Sequence, residues 1–303
     1  MSNKVLVLMS TYNGERYLQT QIESILNQEG VDVHLLVRDD GSNDNTINIL
    51  RSFVGEKLDF YTGANLRSAK SFIDLLIKCP KTYDYYAFSD QDDYWCPDKL
   101  ISAIKSLEKI SKPAVYCSNA LLVDKDLNSL GRMEYNHIPN FTFQRVLIAG
   151  EVQGATMVMN RELTKYFNGI EMPDYVPMHD YFVSLVCVAI GGQIVFDPES
   201  HIKYRQHGGN VLGVDSSLFG KVRRNLSRVV KKNDFLDLQR MCQQLIEQNN
   251  FPIKENYLQV LELGATYKKS LKSRWRMTTL ENVDFGKANQ NIGYRLALLF
   301  GKI

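Results

Sequence analysis

The 303-residue sequence predicts an α/β fold in which a mostly parallel sheet carries helices on both faces. Short apolar runs alternate with segments of helical periodicity over about the first two hundred residues, and this β-α-β-α order is typical of a parallel sheet. The first run, residues 4–9, is rich in Val and Leu, as expected of a buried strand. Polar, loop-forming segments follow the runs, at the strand ends where such sheets bind ligands.

The predicted elements follow one another in regular order along the first 120 residues. Strands are predicted at residues 4–9, 33–40, 57–62, 85–90 and 114–119. Helices are predicted in the segments RYLQTQIESILNQ, NDNTINILRSF, KSFIDLLIKC and DKLISAIKSLEKI. The first helix places Leu18, Ile22, Ile25 and Leu26 on one apolar face. The second begins with residues that cap helix N-termini.

The alternation loosens beyond residue 120. We predict a strand at 154–160, a helix at 179–190, and a strand–turn–strand unit over GGQIVFDP and HIKYRQHGGN. Residues 211–303 carry 16 Lys and Arg against 8 Asp and Glu, whereas the rest of the chain carries 20 against 26. We therefore expect two parts, an acidic domain at 1–212 and a basic helical region at 213–303.

The composition is that of a soluble globular protein and excludes several other classes. A net charge of +2 argues against a nucleic-acid-binding protein. The five cysteines show no paired spacing, which predicts reduced, mostly buried thiols in a cytoplasmic protein. The apolar runs near both termini are too short for a signal peptide or a membrane span.

The segment SDQDD places Asp90, Asp92 and Asp93 within four positions at the end of the fourth predicted strand. Like charges this close repel one another unless a cation lies between them. Mg²⁺ and Mn²⁺ prefer oxygen ligands and need only one or two protein carboxylates where a phosphate group supplies the rest. The alternative is a turn followed by a helix N-cap, which would account for Asp93 and Asp98 but not for Asp90 and Asp92.

Two further strand ends carry residues suited to a nucleotide. In RDDGSNDNT, Gly41 permits a tight turn, and Asp39 or Asp40 can accept a hydrogen bond from a nucleobase N–H or a ribose hydroxyl. The alternative is an Asx-turn that caps the next helix, a role that fits Asp44. In STYNGERYL, Tyr12 can stack on a base, although the NG dipeptide would equally form an ordinary turn.

Taken together, these motifs resemble those of a known enzyme family. STYNGERYL, RDDGSNDNT, FSDQDDYW and HDYF occur in the order and at the spacing typical of inverting family 2 glycosyltransferases with the GT-A fold. The variants SDQDD and HD look most like those of bacterial rhamnosyltransferases. The resemblance covers residues 1–212 and implies a Rossmann-like GT-A catalytic domain there.

The resemblance also implies roles for individual residues. The nucleotide-pocket positions are matched by Thr11, Tyr12, Asp39 and Asp40. Lys70 stands where the family often has an Arg or Lys facing the diphosphate. Asp90 and Asp92 match the D-x-D pair, with Asp92 as the direct metal ligand, and His207 matches a histidine that completes the metal or diphosphate site. Asp180 falls at the position of the catalytic base.

Four further positions keep two interpretations each. His179 stands where many relatives have Glu, and it either orients an acceptor hydroxyl or caps a helix. Arg205 pairs either with the diphosphate or with a surface acid. Gln153 and Gly154 lie close to the acceptor, or else Gly154 only permits a tight backbone approach within a core strand.

The chemistry of sugar transfer accounts for these residue types. A divalent cation, expected to be Mg²⁺ or Mn²⁺, neutralises the charge that builds on the diphosphate as the glycosidic C–O bond breaks. One carboxylate, Asp180, removes the proton of the acceptor hydroxyl as the new bond forms. A diphosphate leaves without the second carboxylic acid that glycoside hydrolases use. With a single base, the acceptor hydroxyl attacks from the far face of the sugar, which predicts inversion of the anomeric configuration.

The basic region contains the segments KVRRNLSRVVKK and YKKSLKSRWRM. In the first, six cations are interleaved with apolar residues over twelve positions, a pattern that suits a helix lying on an anionic membrane face. Such peripheral membrane contact would suit an enzyme with a lipid-linked acceptor. The alternatives are a solvated helix packed on the catalytic domain and a contact between copies in a homo-oligomer.

The expected function is that of a metal-dependent, inverting hexosyltransferase, and the motif variants make dTDP-L-rhamnose the leading donor. The expected acceptor is a growing cell-surface polysaccharide on a lipid carrier, met in the cytoplasm at the inner membrane face. A UDP-hexose or UDP-N-acetylhexosamine donor is the alternative. A nucleotidyltransferase would carry a Gly-rich basic loop after its first strand, whereas STYNGERYL has one Gly and one Arg. A non-catalytic scaffold would not need Asp92 and Asp180 together.

Overall fold

A nine-stranded sheet organises the computed structural model, which describes residues 2–150, 152–207, 236–281, 283 and 288–303. The strands within these ranges are β1 (Asn3–Thr11), β2 (Val31–Asp39), β3 (Leu58–Thr62), β4 (Tyr85–Ser89), β5 (Tyr94–Trp95), β6 (Ala114–Val123), β7 (Ser129–Met133), β8 (Val158–Asn160) and β9 (Gln193–Arg205). The helices within the same ranges are α1 (Leu18–Leu26), α2 (Thr46–Phe53), α3 (Arg67–Lys78), α4 (Lys99–Leu107), α5 (Phe143–Ala149), α6 (Arg161–Thr164), α7 (His179–Ala189), α8 (Leu238–Glu247), α9 (Glu255–Thr266), α10 (Leu271–Thr278) and α11 (Ala288–Leu299).

The strand order is β3-β2-β1-β4-β8-β6-β9-β5, with β7 beside β6. The first four strands are parallel, β8 runs antiparallel to β4 and β6, and β9 is parallel to β6. This mixed but mostly parallel arrangement confirms the predicted α/β class.

The parallel register brings the ends of β1, β2 and β4 to one edge of the sheet. Thr11 pairs with Asp39, and Met9 pairs with both Val37 and Ser89. The polar loops that follow these strands therefore start side by side, where ligands bind in open α/β sheets.

Alternate residues of the central strands face opposite layers of the core, because successive strand side chains point to opposite faces. One apolar cluster contains Leu6, Leu8, Tyr86 and Phe88 and is covered by α3, α5 and α7. The other contains Val5, Val7, Met9 and Ala87 and is covered by α1 and α4. Helices therefore cover both faces of the sheet, as predicted.

The strand predicted at 154–160 is shorter than expected. It begins with a 3₁₀ turn, Gly154–Thr156, and only β8 pairs with neighbouring strands. The N–H of Gly154 donates to the carboxylate of Asp180 and is therefore unavailable to a strand ladder.

The strand–turn–strand unit predicted near the end of the first part is instead one strand, β9. Its register against β6 shifts between the pair Ser118–Asp197 and the pair Asn119–Ser200. Pro198 lies in this shift, where its missing N–H costs no ladder hydrogen bond. The proline therefore marks a bulge rather than a turn.

The helices from residue 236 onward share the apolar cluster of α3, α5 and α7. Met241 and Leu261 are buried in that cluster, and the rings of Phe143 and Tyr257 stack with their centroids 4.2 Å apart. The boundary predicted near residue 213 and the segment KVRRNLSRVVKK lie outside the described residues.

Two findings bear on the environment of the chain. All five cysteines are free thiols, and Cys79, Cys117, Cys187 and Cys242 are buried, as the lack of paired spacing predicted. In the described part of the chain, no helix has the length and apolar character needed to cross a bilayer.

Candidate active site

A cavity of about 430 Å³ opens at the sheet edge where β1, β2 and β4 end. Its wall brings together eight of the residues that the sequence singled out, namely Tyr12, Asp40, Asp90, Asp92, Gln153, Gly154, His179 and Asp180. The other lining residues are Ser10, Asn65, Arg67, Ser68, Phe72, Gln91, Ala155, Met178 and Tyr204. Five residues of the predicted site lie outside this wall, namely Thr11, Asp39, Lys70, Arg205 and His207.

The carboxylate of Asp39 is fully used within its own loop. Its Oδ1 accepts hydrogen bonds from the backbone N–H groups of Gly41 and Ser42 at 3.0 and 2.9 Å, and its Oδ2 accepts from the hydroxyls of Thr11 and Ser42. Gly41 has a φ of +83°, which glycine adopts without steric cost and which closes the tight turn. Asp39 and Thr11 are completely buried. They hold the loop in place, and neither faces the cavity.

Asp40 is the aspartate of this pair that reaches the cavity wall. One of its oxygens accepts from the backbone N–H of Leu66 at 3.1 Å, and the other pairs with the guanidinium of Arg38. Arg38 is nearly fully buried and also donates from Nε to Asp74 at 3.1 Å. One guanidinium therefore neutralises two buried carboxylates at the end of β2.

Gln91, within SDQDD, joins the loop after β4 to the loop after β1. Its Oε1 accepts from the backbone N–H of Tyr12 at 3.0 Å, and its Nε2 donates to the carbonyl of Tyr12 at 3.2 Å. The backbone of Tyr12 is thus fixed while its ring remains 46% exposed. An exposed ring in a fixed position suits stacking on a base.

The loop after β4, which we call the acidic loop, places Asp90, Asp92 and Asp93 close enough to repel one another. Burial and the neighbouring charges of Asp92 and Asp180 raise the pKa of Asp90 to about 7. Burial and the charge of Asp92 also raise the pKa of Asp93 well above its ordinary value. This acidic corner therefore holds more negative charge than its surroundings neutralise, which favours a bound cation.

Asp92 meets His207 directly. The distance from its Oδ2 to His207 Nε2 is 2.8 Å, and the two side chains are 20% and 18% exposed. The histidine ring packs against that of Tyr17, with centroids 5.1 Å apart. The structure thus joins the acidic loop to the residue two positions beyond β9.

Arg205 lies behind the acidic loop and does not face the cavity. Its backbone N–H donates to Asp93 Oδ1 at 3.0 Å, and its Nε donates to the carbonyl oxygen of Asp92 at 2.6 Å. Its guanidinium lies 4.4 Å from the ring centroid of Tyr17. Arg205 thus fixes the backbone of the acidic loop, and its pairing with a diphosphate or a surface acid stays a prediction.

A polar stripe on α1, which the sequence analysis missed, supports the same loop. Gln21 Nε2 donates to Ser89 Oγ at 2.8 Å, and Ser24 Oγ accepts from the backbone N–H of Trp95 at 3.1 Å. Gln28 bonds to the backbone of the segment that follows. Gln21 and Ser24 are three positions apart and therefore share one helix face, and Gln28 follows two residues beyond the helix end. The signal in the sequence is three polar residues at helical spacing beside the apolar stripe.

Lys99 is a buried cation beneath the acidic loop. Its Nζ lies 3.5 Å from the ring centroid of Trp95 and has no hydrogen-bond partner among the described residues. Burial lowers the pKa of Lys99 to about 7, although the charge of Asp93 opposes this shift. Lys99 therefore neutralises its loop far less than Arg38 neutralises the end of β2.

Asp180 lies in the first turn of α7 with its side chain at the cavity wall. Its Oδ2 accepts from the N–H of Gly154 at 2.9 Å, and its Oδ1 accepts from the N–H of Tyr181 at 2.7 Å. A Cβ at position 154 would lie 2.4 Å from His179 Nε2, so the approach requires glycine. Gly154 therefore makes the tight backbone approach anticipated from the sequence, with Asp180 as its partner.

His179 is held between two aromatic rings. It stacks on Phe72 with the centroids 4.0 Å apart and meets Phe88 edge-on at 4.9 Å. Burial lowers the pKa of His179, against the charge of Asp180, so the imidazole is neutral. Neither ring nitrogen has a hydrogen-bond partner among the described residues, and the side chain does not cap α7. With Gln153, whose buried Oε1 also has no partner there, His179 offers polar atoms to a hydroxyl in the cavity.

Arg67, rather than Lys70, is the cation of α3 that lines the cavity. Arg67 begins the helix with a φ of +62°, which is uncommon for a residue other than glycine. Ser68 follows it on the cavity wall. Arg67 and Lys70 both lie in the segment TGANLRSAK, at the start of α3, and it is Arg67 that reaches the cavity wall.

A metal ion at this site would share its ligands with a substrate. Within the part of the chain that the structure describes, no three His, Cys, Asp or Glu side chains form a group that could hold a metal ion. Asp92 and His207 nevertheless meet beside the cavity, next to the unneutralised charge of Asp90. One carboxylate and one imidazole, completed by phosphate oxygens and water, suit a Mg²⁺ or Mn²⁺ ion. The residues present therefore fit such an ion only together with a diphosphate.

The fold has counterparts in known proteins. The model of glycosyl transferase family 2 matches residues 6–160, a little over half of the chain. The protein therefore belongs to glycosyl transferase family 2.

Two relatives are similar in sequence over most of the chain. The chain is similar to dTDP-rhamnosyl transferase RfbG of Shigella flexneri, with 29% identity over 239 residues, covering 71% of this chain and 77% of the relative. It is also similar to UDP-Glc:alpha-D-GlcNAc-diphosphoundecaprenol beta-1,3-glucosyltransferase WfaP of Escherichia coli, with 23% identity, covering 68% and 79%.

Solved structures agree on the fold. TarS of S. aureus in complex with UDP-GlcNAc has a TM-score of 0.55 at 17% identity, covering 98% of this chain and 90% of that one. Mannosyltransferase PcManGT from Pyrobaculum calidifontis, in complex with GDP-Man and Mn²⁺, has a TM-score of 0.55 at 15% identity, covering 100% and 86%. The chain thus has the GT-A fold that the motifs implied.

Proposed function

We propose that this glycosyltransferase is an inverting, metal-dependent rhamnosyltransferase that uses dTDP-L-rhamnose. The observation that carries the mechanism is the meeting of Asp180 with Asp90 and Asp92 at one cavity, although they come from distant parts of the chain. Transfer from a diphosphate requires a general base close to a bound cation, and Asp180 beside the acidic pair Asp90 and Asp92 fits this requirement.

The choice of donor is supported by sequence likeness. RfbG, which spans most of this chain, is named for dTDP-rhamnosyl transfer. The second candidate is a UDP-hexose donor, supported by the name of WfaP and by the UDP-GlcNAc seen in TarS. The family assignment favours either donor over the nucleotidyltransferase alternative.

We place the nucleotide between Tyr12 and Asp40 and the diphosphate beside Arg67. The exposed Tyr12 ring would stack on the base, and Asp40 would accept a hydrogen bond from the nucleoside. Arg67 would bind phosphate oxygens with its planar guanidinium. Asp92 and His207, with Asp90 nearby, would hold the divalent cation, whose chemical contribution is to neutralise the departing diphosphate.

Asp180 acts as the general base. Two backbone N–H groups hold its carboxylate, one to each oxygen, so that the remaining lone pairs point to a fixed place. The carboxylate removes the proton of the acceptor hydroxyl while that oxygen forms a bond to the anomeric carbon. The bond from this carbon to the diphosphate oxygen breaks on the opposite face, which inverts the configuration.

The acceptor is proposed to be a lipid-linked saccharide. The name of WfaP specifies a diphosphoundecaprenol acceptor, which supports this class. His179 and Gln153 would hydrogen-bond the acceptor sugar, since both line the cavity beside Asp180. We assign catalysis to residues 1–212, and place the reaction at the inner face of the membrane where such acceptors are elongated.

The donor assignment is tested by a thermal-shift screen of nucleotides and nucleotide sugars with and without Mn²⁺ or Mg²⁺. A ligand that binds only the folded state raises the melting temperature by mass action. The proposal expects the largest shift for dTDP-L-rhamnose with metal. A larger shift for a UDP-sugar would replace the donor, and the absence of any shift would overturn the nucleotide-sugar assignment.

A further inference from the structure

Exposed apolar side chains are concentrated near the C-terminus. Of the nine large apolar residues exposed in the described part of the chain, five lie on or beside α10 and α11, namely Leu271, Trp275, Ile292, Leu296 and Phe300. The other four are Tyr12, at the cavity, and the single residues Val54, Leu130 and Ile138. Scattered exposed apolar residues are ordinary, but a concentration of them marks an interaction surface.

The five residues follow helical spacing. On α11, Ile292 and Leu296 are four residues apart, and Phe300 follows by another four just beyond the helix end, so all three point to one side. Ala297 and Leu298 are buried on the opposite side. This helix is therefore apolar towards both the core and the solvent, unlike a surface helix of a protein that stays in water.

The two helices form one surface. α10 and α11 pack against each other. The hydroxyl of Tyr267 donates to the carbonyl of Ile303, and the guanidinium of Arg274 lies beside Gly301, so the end of α11 meets the start of α10. On α10, Leu271 and Trp275 are 73% and 61% exposed at the same four-residue spacing. We call the surface of Leu271, Trp275, Ile292, Leu296 and Phe300 the C-terminal face.

Cations outnumber acids in the segments that carry the C-terminal face, although Lys268 pairs with Asp237. The described residues from 268 onward carry seven cations, Lys268, Lys269, Lys272, Arg274, Arg276, Arg295 and Lys302. Glu281 is the one acid in the same described residues. Lys272 and Arg276 are exposed and each follows directly after an apolar residue of the face. An apolar stripe bordered by cations suits a surface that presents both apolar chains and negative charge.

This charge argues against two other occupants. A second copy of the chain would bring one basic face against another and repel it. The segment 208–235 has six Lys and Arg and two Asp by sequence, so it would be repelled for the same reason. Neither offers the negative charge that would complement seven cations.

We infer that the C-terminal face docks in the plane of an anionic lipid bilayer. Its aromatic and aliphatic side chains would enter the boundary between headgroups and acyl chains, and its cations would contact acidic headgroups. Trp275 suits this boundary because its ring is apolar and its N–H can reach water or a headgroup. The inference goes beyond the proposed reaction and depends on neither the donor nor the acceptor.

The test is co-sedimentation of the full chain with lipid vesicles in the absence of any substrate. Phosphatidylcholine vesicles are compared with vesicles that also contain roughly one third phosphatidylglycerol, and binding to the latter should be at least about tenfold stronger and should weaken with added salt. The double variant Leu296→Glu/Phe300→Glu should bind about tenfold less or weaker still, because carboxylates replace inserted apolar groups. Lys272→Glu/Arg276→Glu should lose most of the preference for anionic vesicles.

Val54→Glu/Ile138→Glu is the matched control, because it places the same two charges at exposed apolar residues elsewhere. It should bind like the unchanged chain, and circular dichroism should show that all variants are folded. Absence of vesicle binding by the unchanged chain would overturn the inference. Equal loss in the Val54→Glu/Ile138→Glu control would also overturn it. So would a dimer that dissociates in Leu296→Glu/Phe300→Glu without any vesicle binding, because the face would then belong to a second copy.

Discussion

The loops after β2 and β4 both carry closely spaced aspartates, but the negative charge is neutralised in the first loop and left in excess in the second. After β2, Asp39 accepts four hydrogen bonds and Asp40 pairs with Arg38. After β4, no arginine among the described residues pairs with the carboxylate of Asp90 or Asp92, and burial and repulsion raise the pKa of Asp90 to about 7.

The two loops therefore differ in what their acids do. Asp39 and Asp40 stabilise the conformation of their own loop, whereas Asp90 and Asp92 are available to bind a cation. A buried carboxylate whose lone pairs are used stabilises the fold at its place in the chain. A carboxylate cluster left with excess charge destabilises the protein alone and is stabilised when a cation binds. The two loops contain the same residue type at equivalent strand ends, so their partners decide their roles.

The largest expected effect concerns transfer itself. Asp180→Asn should lower kcat by about 10³-fold because the general base is lost, whereas substrate binding should change little. The matched control is Asp174→Asn, the same change at an exposed acid outside the cavity, which should retain full activity. Steady-state transfer assays decide the matter, and an unchanged kcat in Asp180→Asn would eliminate the proposed mechanism.

The second prediction compares the cations beneath the two loops. Arg38→Met should lower the free energy of unfolding by about 3–5 kcal/mol, because it leaves Asp40 buried without a cation, whereas Asp74 keeps its ion pair with Lys78. Lys99→Met should change it by less than about 1 kcal/mol, because its Nζ has no hydrogen-bond partner among the described residues and Met keeps the apolar packing. Urea denaturation measures both values. Equal losses would show that the two loops are neutralised alike.

The third prediction compares the effect of replacing one aspartate from each loop, Asp39 and Asp92, on stability and on metal-dependent ligand binding. Asp39→Asn should lower the free energy of unfolding by about 2 kcal/mol, since an amide cannot accept all four hydrogen bonds. Asp92→Asn should change stability by less than about 1 kcal/mol in metal-free protein, yet it should remove the part of the nucleotide-sugar thermal shift that depends on Mn²⁺. If Asp92→Asn retained the metal-dependent shift, Asp92 would not be a metal ligand.

The smallest expected effect is one of pH. Because the pKa of Asp90 is raised from 3.8 to about 7, the folded protein binds this proton more tightly than the unfolded chain does. Stability from this group is therefore fully present near pH 4 and is lost as the pH rises towards 7. Asp90→Asn should stabilise metal-free protein at pH 8, on the order of 1–2 kcal/mol, and hardly at pH 4.

The control for this pH effect is added Mn²⁺ with nucleotide diphosphate, which should reduce the advantage of Asp90→Asn at pH 8. Melting curves of both proteins across this pH range supply the measurement. A pH-independent difference between them would contradict the raised pKa of Asp90.

Much of the fold followed from local pattern, and the exceptions have physical causes. β1 to β4 and β6 were predicted to within a few residues, because buried strands are apolar runs, whereas the two-residue β5 was not predicted. The turn predicted within β9 was wrong, because Pro198 sits in a bulge that only pairing with β6 reveals. The strand predicted from residue 154 began late, because the N–H of Gly154 bonds to Asp180.

The candidate site shows the same division between local and distant information. Asp92 and Asp180 were named from motifs, and the structure places both at one cavity. Arg205 was expected to meet the diphosphate or a surface acid, and the structure adds a role that the motif did not suggest, because Arg205 holds the backbone of the acidic loop. The structure also places Arg67 on the cavity wall, where the sequence analysis had named Lys70.

The sequence by itself determined the α/β class, the alternation of strands and helices over the first 120 residues, and which strand ends carry acids, because these depend on hydrophobic periodicity and residue chemistry along the chain. Only the tertiary structure decided which of those acids are neutralised. Asp40 pairs with Arg38 two positions away, whereas Asp92 meets His207 across 115 positions. The charge state of a carboxylate depends on what lies within a few ångströms of it, and the order of residues along the chain does not show those neighbours.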